Sequence, residues 1–274
     1  MVIEKVKGKL IMKRLLNKVR RLLNKVRFLR YYNTGKMLLN DESFHYGGNM
    51  SKLEMLKRPL RTDIINFILS QYNRETVYLE IGVRNPDDNF SHILANKKYS
   101  VDPGVEYLEN PVDFKLTSDD FFEELNLSRI LFSGIKFDVI FIDGLHLAEH
   151  VDRDITNALD FIKDDGFIIL HDCNPPTAWH AREEFSYNFT PAGKQWNGTT
   201  WKAFMKSRFN PNLQSCCIDS DWGVGIISKK IPIGKSINTK NQFYEFSELL
   251  ANRVEYLNLI DFAEFKTIII TNFK

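Results

Sequence analysis

Long apolar runs are missing from this chain of 274 residues, and their absence excludes whole classes of protein. No stretch approaches the roughly 18 consecutive apolar residues that a membrane-spanning helix requires. The first residues also lack an uninterrupted apolar segment of signal-peptide length, which argues against export. The sequence therefore predicts neither an integral membrane protein nor a secreted one.

Cysteine is scarce as well. The three cysteines are an odd number without metal-type spacing, and they suit a reducing cytoplasm: Cys173, Cys216 and Cys217. The glycine pattern G-x-G-x-x-G, which cradles the pyrophosphate of dinucleotides, is also absent. These absences favour a cytoplasmic protein that does not bind NAD in the usual way.

Charge is distributed unevenly along the chain. Residues 1–30 hold eleven Lys or Arg against the single Glu4, a local charge of +10, while the remaining residues carry 26 basic and 34 acidic side chains, or −8. An acidic body disfavours a nucleic-acid-binding surface. We expect no nucleic-acid partner, and a basic character confined to the leader.

The leader, residues 1–30, contains two identical heptads at residues 14–20 and 21–27. On a helix their apolar residues form one stripe, with the basic residues mostly opposite. This pattern predicts a basic amphipathic helix lying on an anionic membrane surface, as in a peripheral membrane protein. Docking on its own domain and self-association into a homo-oligomer remain open alternatives.

Residues 31–60 are predicted to be a connector or a lid, and residues 61–274 the main domain. Short β-branched runs near residues 77–83, 99–102, 113–116, 137–142 and 167–170 alternate with helical patterns near residues 62–72, 89–95, 118–125 and 148–162. Residues 213–219 and 222–228 predict a hairpin, and residues 243–259 a last helix. The fold class expected is α/β, a Rossmann-like, doubly wound, mostly parallel sheet with a C-terminal antiparallel hairpin.

Carboxylates mark the ends of three of these buried runs. Glu80, Asp143 and Asp172 each stand where a predicted strand stops. In open α/β sheets the ligand binds beyond the carboxyl ends of the strands, so these side chains are expected to converge. The spacing predicts one site at that edge of the sheet.

Several short motifs in this frame resemble those of class I S-adenosylmethionine-dependent methyltransferases, in particular a branch whose members modify sugars and glycosylated natural products. The motifs are Tyr78-Leu-Glu-Ile-Gly-Val-Arg-Asn85, Ser100-Val-Asp-Pro103, Phe141-Ile-Asp-Gly-Leu-His146, His171-Asp-Cys-Asn-Pro-Pro176 and Trp196-Asn-Gly-Thr-Thr-Trp201. The chain departs from the usual loop glycines after Gly82, where it has Arg84-Asn85-Pro86. The resemblance implies S-adenosylmethionine as cofactor and a saccharide or other small molecule as methyl acceptor.

The resemblance also implies which residues hold the cofactor. Glu80 and Gly82 lie where such enzymes bind the methionine part. Asp102 is expected to accept hydrogen bonds from the ribose hydroxyls. Ser118 and Asp119 are expected near the adenine, although Ser118 is equally suited to cap a helix. Asp143 is expected to line the reacting methyl group.

Catalysis is predicted to depend on Asp143, His146 and His171. His146 suits a general base because an imidazole titrates near neutrality. Related sugar methyltransferases bind magnesium at these strand ends, so Asp143 and Asp172 are expected to hold Mg²⁺ or Mn²⁺. His171 stands where that pattern prefers another acid, which leaves open a metal-free site with His171 as the base oriented by Asp172.

The segment from Trp196 to Trp201 lies between the last parallel strand and the hairpin. It is predicted either to recognise the acceptor through its indole rings or to anchor a long connection by packing. The sequence therefore predicts an O-methyltransferase. An NAD-dependent sugar oxidoreductase and a non-catalytic, membrane-attached scaffold are the alternatives.

Overall fold

The computed structural model describes residues 12–19, 21–22, 26–107, 109–238, 241 and 243–272. Within these residues, seven strands form one sheet. The strands are β1 (Val77–Ile81), β2 (Lys97–Val101), β3 (Phe137–Ile142), β4 (Ile162–Leu170), β5 (Gln214–Ile218), β6 (Val224–Ser228) and β7 (Leu259–Ile260).

The sheet has the order β2-β1-β3-β4-β6-β5-β7. β2, β1, β3 and β4 are parallel, whereas β6 runs antiparallel to both β4 and β5. All six residues of β3 are buried, as expected of a strand covered on both faces. The predicted α/β class, its mostly parallel sheet and its antiparallel hairpin are confirmed.

From residue 26 onward, eight α-helices accompany these strands within the described residues. They are α1 (Arg27–Leu39), α2 (Glu42–Leu56), α3 (Arg61–Leu69), α4 (Ser118–Asn126), α5 (Ala148–Phe161), α6 (Thr200–Arg208), α7 (Phe246–Leu257) and α8 (Phe262–Asn272). One face of the sheet packs against α4, α5, α6 and α7, and the other packs against α3 and α8. The sheet is therefore the middle layer of three, and its strand ends stay open for a site.

The predicted strand at residues 113–116 does not form. Only Phe114 makes an isolated parallel bridge, to Val101. The side chain of Asp113 instead accepts hydrogen bonds from the backbone N–H and the hydroxyl of Ser100, at 2.9 and 2.8 Å. A side chain that takes the backbone donor of the neighbouring strand removes a hydrogen bond of the strand ladder.

Two helical predictions need correction. The short helix expected at residues 89–95 is replaced by two 3₁₀ turns, Pro86–Asp88 and Phe90–His92. The last predicted helix, at residues 243–259, ends at Asn258, which adopts a left-handed conformation with φ 45°. The chain then adds β7 beside β5 and continues into α8. Asparagine tolerates this conformation better than most residues, so the break follows from one side chain.

The leader lies largely outside the described residues, which omit residues 1–11, 20 and 23–25. Residues 12–19 and 21–22 are helical, but the amphipathic helix over residues 1–30 stays a prediction. Most of the predicted connector folds as α1 and α2, and the proposed domain boundaries also stay predictions. No helix of the described residues is long and apolar enough to cross a membrane.

Candidate active site

The carboxyl ends of β3 and β4 bring together the two acids predicted to share a site. Asp143 follows β3, Asp172 follows β4, and one ligand atom each of Asp143, His146 and Asp172 lies within 4.8 Å of the others. The parallel register of β3 and β4 causes this convergence, because both strands stop at the same edge of the sheet.

His146 bridges the two acids. Its Nε2 lies 3.3 Å from Oδ1 of Asp143, and its Nδ1 lies 3.2 Å from Oδ2 of Asp172. Nδ1 is also 3.3 Å from the carbonyl oxygen of Trp196. The backbone is fixed from the other side, because Thr199 N–H donates to the carbonyl of His146 at 2.8 Å. His146 is therefore held at both its backbone and its ring.

His171 occupies the inner side of the same cluster. Its Nδ1 lies 3.0 Å from Asp172 and 3.3 Å from Asp143, while its Nε2 lies 3.4 Å from Asp221 and 3.2 Å from Arg61. The residue is buried. Asp172 lies beside Nδ1 of His171, and the role of His171 as a base oriented by Asp172 stays a prediction. The partly exposed His146 is better placed to meet an acceptor.

Arg61 and Asp221 belong to this cluster, although the sequence interpretation did not include them. Nη1 of Arg61 lies 3.2 Å from Asp221, and the backbone N–H of Arg61 donates to the same carboxylate at 2.8 Å. Nε of Arg61 is buried without a hydrogen-bond partner and lies 3.8 Å from Asp143. β5 runs in the same direction as β4. The expectation that site residues follow the carboxyl ends of such strands, which identified Asp143, would therefore also have identified Asp221. Arg61, at the start of a helix, gave no such signal.

Charge explains the protonation of the cluster. Burial alone would raise the pKa of Asp143, but His171, His146 and Arg61 hold it well below its usual range. Burial alone would lower the pKa of His146, but Asp172 and Asp143 raise it. Asp143 and Asp172 likewise raise the pKa of His171 against its burial. The carboxylates and the histidines therefore each favour the charged form of the other.

Asp172 is held in an uncommon backbone conformation, with φ 61°. Few residues other than glycine adopt such angles, and they do so where the surrounding structure enforces them. Here the next two residues are fixed by hydrogen bonds to the hairpin turn, from Cys173 N–H to Gly223 and from Asn174 N–H to Trp222. Nδ2 of the buried Asn197 donates to Oδ1 of Asp172 at 2.7 Å. The carboxylate is therefore aimed by its backbone and by a neighbour.

The cluster meets the geometric requirement for a divalent cation. Asp143 and Asp172, the predicted pair, supply oxygens, and His146 adds a nitrogen at the same centre. Imidazole suits Mn²⁺, Fe²⁺ or Zn²⁺ better than Mg²⁺, which prefers oxygen ligands and water. The donor set thus fits a transition metal more closely than magnesium.

Glu80 and Gly82 lie at the end of β1, next to β3. Burial raises the pKa of Glu80 to about 7, while hydrogen bonds from Tyr78 and Asn89 lower it. Gly82 has φ 91°, and a Cβ there would collide with the carbonyl of Asp143. Close approach to β3 gives Gly82 a packing role of its own. The cofactor roles of Glu80 and Gly82 stay predictions.

The remaining predicted cofactor residues lie along the same edge, at the ends of β2 and the start of α4. Asp102 accepts a hydrogen bond from Gly104 N–H at 2.6 Å, which closes a tight turn. Ser118 does not cap α4, because the N-cap is Thr117. Asp119 pairs with Arg153 of α5 at 3.2 Å. Their contacts with the cofactor stay predictions.

Residues 71–173 match the model of a family described as a methyltransferase domain. This segment is similar to a methyltransferase domain. The match covers less than half of the chain, but it includes β1 to β4 and the acids at their ends. The predicted enzyme class, an S-adenosylmethionine-dependent methyltransferase, is confirmed, and the NAD-dependent oxidoreductase is not supported.

Several solved structures are similar in outline. An O-methyltransferase from Bacillus cereus in complex with SAH has 12% identity and a TM-score of 0.41, with 69% of this chain and 92% of that chain covered. TomG from Streptomyces achromogenes, an O-methyltransferase involved in tomaymycin synthesis, has 11% identity and a TM-score of 0.41, with 69% and 90% covered. The methyltransferase PaMTH1 from Podospora anserina has 13% identity and a TM-score of 0.40, with 79% and 96% covered. Comparison with curated proteins gave no match. Similarities this distant say nothing about the acceptor.

Proposed function

We propose that this methyltransferase transfers the methyl group of S-adenosylmethionine to a hydroxyl of a saccharide or glycan-like acceptor, with a divalent cation at the strand ends. One observation supports it above all: Asp143, His146 and Asp172 place their ligand atoms within 4.8 Å of one another. Two carboxylates and an imidazole at one point can bind a cation, which lowers the pKa of a hydroxyl, or can accept its proton. Either makes the hydroxyl oxygen a better nucleophile for the methyl group.

The cofactor is proposed to lie along the edge formed by β1, β2 and β3. When bound, S-adenosylmethionine supplies an electrophilic methyl group. Glu80 offers a carboxylate to the ammonium of its methionine part, and Asp102 offers acceptors to the ribose hydroxyls. Asp143 lies next to Gly82 and faces the position proposed for the methyl group. Ser118 and Asp119 are proposed to meet the adenine.

His146 is proposed to receive the acceptor's proton if the site holds no cation. Its Nδ1 lies 3.3 Å from the carbonyl oxygen of Trp196. A proton on Nδ1 would be held by that carbonyl, and the proton of the hydroxyl would go to Nε2, where Oδ1 of Asp143 at 3.3 Å would stabilise the imidazolium. The side chain of His171 is 8% exposed against 20% for His146, and it instead lies between Asp172 and Asp221. This arrangement favours His146 over His171 as the base.

A cation would be held by Asp143, His146 and Asp172, and it would lower the pKa of a bound hydroxyl. We favour Mn²⁺ over Mg²⁺ because an imidazole belongs to the set. In this case His146 would be a ligand of the cation, and another base at the site would take the proton of the hydroxyl. The two proposals differ in one measurable respect, namely the effect of a chelator.

The saccharide class is proposed from the aromatic residues beside the cluster. Trp196 lies against His146, and Phe185 lies against Trp196 with ring centroids 5.1 Å apart. Trp179, which precedes Trp196 on the same connection, is partly exposed. Flat rings of this kind suit the apolar faces of sugar rings. Trp201, by contrast, is buried in the core and serves as a packing anchor.

For its place in the cell, we propose a cytoplasmic enzyme attached peripherally to an anionic membrane by residues 1–30. The +10 charge of this leader supports the proposal. The apolar residues Leu15, Leu16, Val19 and Leu22 are exposed, which favours an external partner over docking on the protein's own domain. A homo-oligomer built through this leader is the competing proposal.

A methyl-transfer assay tests the proposed function. Purified protein is incubated with S-adenosylmethionine labelled in the methyl group and a panel of saccharides and non-saccharide hydroxyl compounds, with and without chelator. Label in a saccharide that disappears on chelation and returns with Mn²⁺ supports the metal-assisted reaction. Full activity in excess chelator rejects the cation and leaves His146 as base. Label only in non-saccharide acceptors rejects the substrate class, and absence of turnover despite cofactor binding indicates the scaffold.

A further inference from the structure

α1 carries a stripe of exposed apolar side chains. Phe28, Tyr32 and Leu39 are spaced by four and seven residues, which places them on one face of the helix. Their exposed fractions are 73%, 60% and 75%, and no described residue of α1 is buried. An amphipathic helix of a globular protein normally buries such a stripe in the core. The stripe of α1 therefore faces a partner outside the domain.

The charge around the stripe indicates the chemistry of that partner. α1 contains the basic residues Arg27, Arg30 and Lys36 and no acidic residue, and the sequence has no Asp or Glu between Glu4 and Asp41. A second copy of the helix would meet the same positive charge, which opposes pairing. An anionic phospholipid surface complements the charge, and it accommodates aromatic rings at the level of the headgroups.

Long basic side chains also fit this arrangement. On a helix lying in the interface, Arg and Lys extend past the apolar stripe to reach the phosphates. Each such residue near an anionic surface adds to the attraction, which falls off with salt. α1 combines a helix, an exposed aromatic stripe and unopposed positive charge, and these are the features of an interfacial helix.

α1 is joined to the active site through α2. A Cβ on Gly47 of α2 would collide with Pro191, and Ser51 of α2 lies 2.9 Å from Nε2 of His180. Pro191 and His180 belong to the connection that carries Trp196, which lies against His146. α1 is therefore followed along the chain by a helix that packs on the connection that carries Trp196.

We propose that α1, which begins within the leader at Arg27, lies in the interface of an anionic membrane as far as Leu39. The proposal extends the membrane location proposed above and does not depend on methyl transfer. It assigns a lipid contact to residues 31–39, which the sequence alone indicated only as a connector or a lid. Its partner is the anionic phospholipid surface itself, without specificity for one headgroup.

Vesicle sedimentation tests this assignment in the full chain. The variant Phe28→Ser/Tyr32→Ser/Leu39→Ser is compared with Leu94→Ser/Leu127→Ser/Phe132→Ser, which removes apolar side chains that are also exposed but lie elsewhere. With vesicles of phosphatidylglycerol and phosphatidylcholine, we expect the α1 variant to partition about tenfold less than the wild type, and the control variant to match the wild type. Melting temperatures of all three proteins check that they fold alike.

A third variant separates this proposal from the role of the leader. Lys13→Gln/Arg14→Gln/Lys18→Gln/Arg21→Gln reduces the charge of the leader and leaves α1 unchanged. Loss of binding in this variant, with wild-type binding in the α1 variant, would retain the leader and overturn the proposal for α1. Equal binding by all variants would overturn both. A wild type that forms dimers dispersed by the α1 substitutions, without binding vesicles, would show that a second copy covers the stripe.

Discussion

The imidazole of His146 lies nearly flat against the indole of Trp196, with ring centroids 5.2 Å apart and an angle of 17° between the planes. The Nε1–H of Trp196 donates to the carbonyl of Arg182 at 2.7 Å, so the indole is itself fixed. A ring fixed in this way limits the rotation of His146 about its side-chain bonds. Trp196 is thus a positioning residue for the cluster.

Replacing Trp196 should therefore impair turnover more than cofactor binding. We expect Trp196→Leu to lower kcat by about tenfold to a hundredfold, because small displacements of a reacting group are costly. Trp196→Phe should restore part of the rate through its remaining ring. Phe189→Leu, at an exposed aromatic residue of the same connection that has no assigned role, is the control. Equal rates for the two leucine variants would show that the stacking has no role.

Asp221 supplies a second prediction, on stability. It accepts hydrogen bonds from both the side chain and the backbone of Arg61, and it lies 3.4 Å from His171. Burial would raise the pKa of Asp221, but His171 and Arg61 lower it to about 2. Asp221→Ala removes the carboxylate that accepts hydrogen bonds from the largely buried Arg61, which keeps only the more distant Asp143 at 3.8 Å, and should lower the free energy of unfolding by about 3 kcal/mol.

Urea unfolding of Asp221→Ala and of a surface control measures this effect. Asp164 pairs with Lys230 at an exposed position, so Asp164→Ala should leave the unfolding curve almost unchanged. If both variants unfold like the wild type, Asp221 is not needed to balance Arg61.

Glu80 gives a prediction about pH. Burial raises its pKa from 4.5 to about 7, so the folded chain binds the proton more tightly than the unfolded chain. The resulting stability is complete below pH 4.5 and is lost as the pH rises through about 7. Glu80→Gln removes the ionisation, and the variant should gain about 3 kcal/mol relative to the wild type between pH 4.5 and pH 8.

Urea unfolding of the cofactor-free proteins across this range measures the gain. Glu75→Gln, at an exposed glutamate of the same region, should follow the wild-type profile. If the free energies of unfolding of the wild type and Glu80→Gln change in parallel with pH, ionisation of Glu80 does not destabilise the folded chain.

The sequence predicted the strands best where burial on both faces leaves an unbroken apolar run. β3 has the predicted bounds, and the hairpin of β5 and β6 lies where expected. The convergence of Asp143 and Asp172 followed from topology alone. The role of Arg61 did not, because it depends on how the start of α3 packs against a turn far along the chain. The residues next to Arg61 in the sequence do not indicate such a contact.

Side-chain competition explains the other differences. Asp113 takes the hydrogen bond that the expected strand needed. Asn258 ends α7 because its amide also donates to the carbonyls of Ser215 and Ile233. Both effects require partners brought close by the fold, which a pattern of apolar residues cannot indicate.

Asp102 tests the proposed cofactor site. Asp102→Ala would remove the acceptors for the ribose hydroxyls and should weaken S-adenosylmethionine binding about tenfold or more in calorimetry. Asp102→Asn keeps one oxygen, which can still accept from Gly104 N–H, and should have an intermediate affinity. Melting temperatures near that of the wild type would show that the fold is retained. Unchanged affinity in both variants would place the ribose elsewhere.

The most direct measurement compares single-turnover methyl transfer by the wild type and His146→Ala at saturating S-adenosylmethionine, with calorimetry of the cofactor alongside. As base or as metal ligand, His146 acts on the acceptor hydroxyl rather than on the cofactor. We predict a rate lower by about two to four orders of magnitude and a cofactor affinity equal to that of the wild type. A wild-type rate in His146→Ala would contradict a catalytic centre at Asp143, His146 and Asp172.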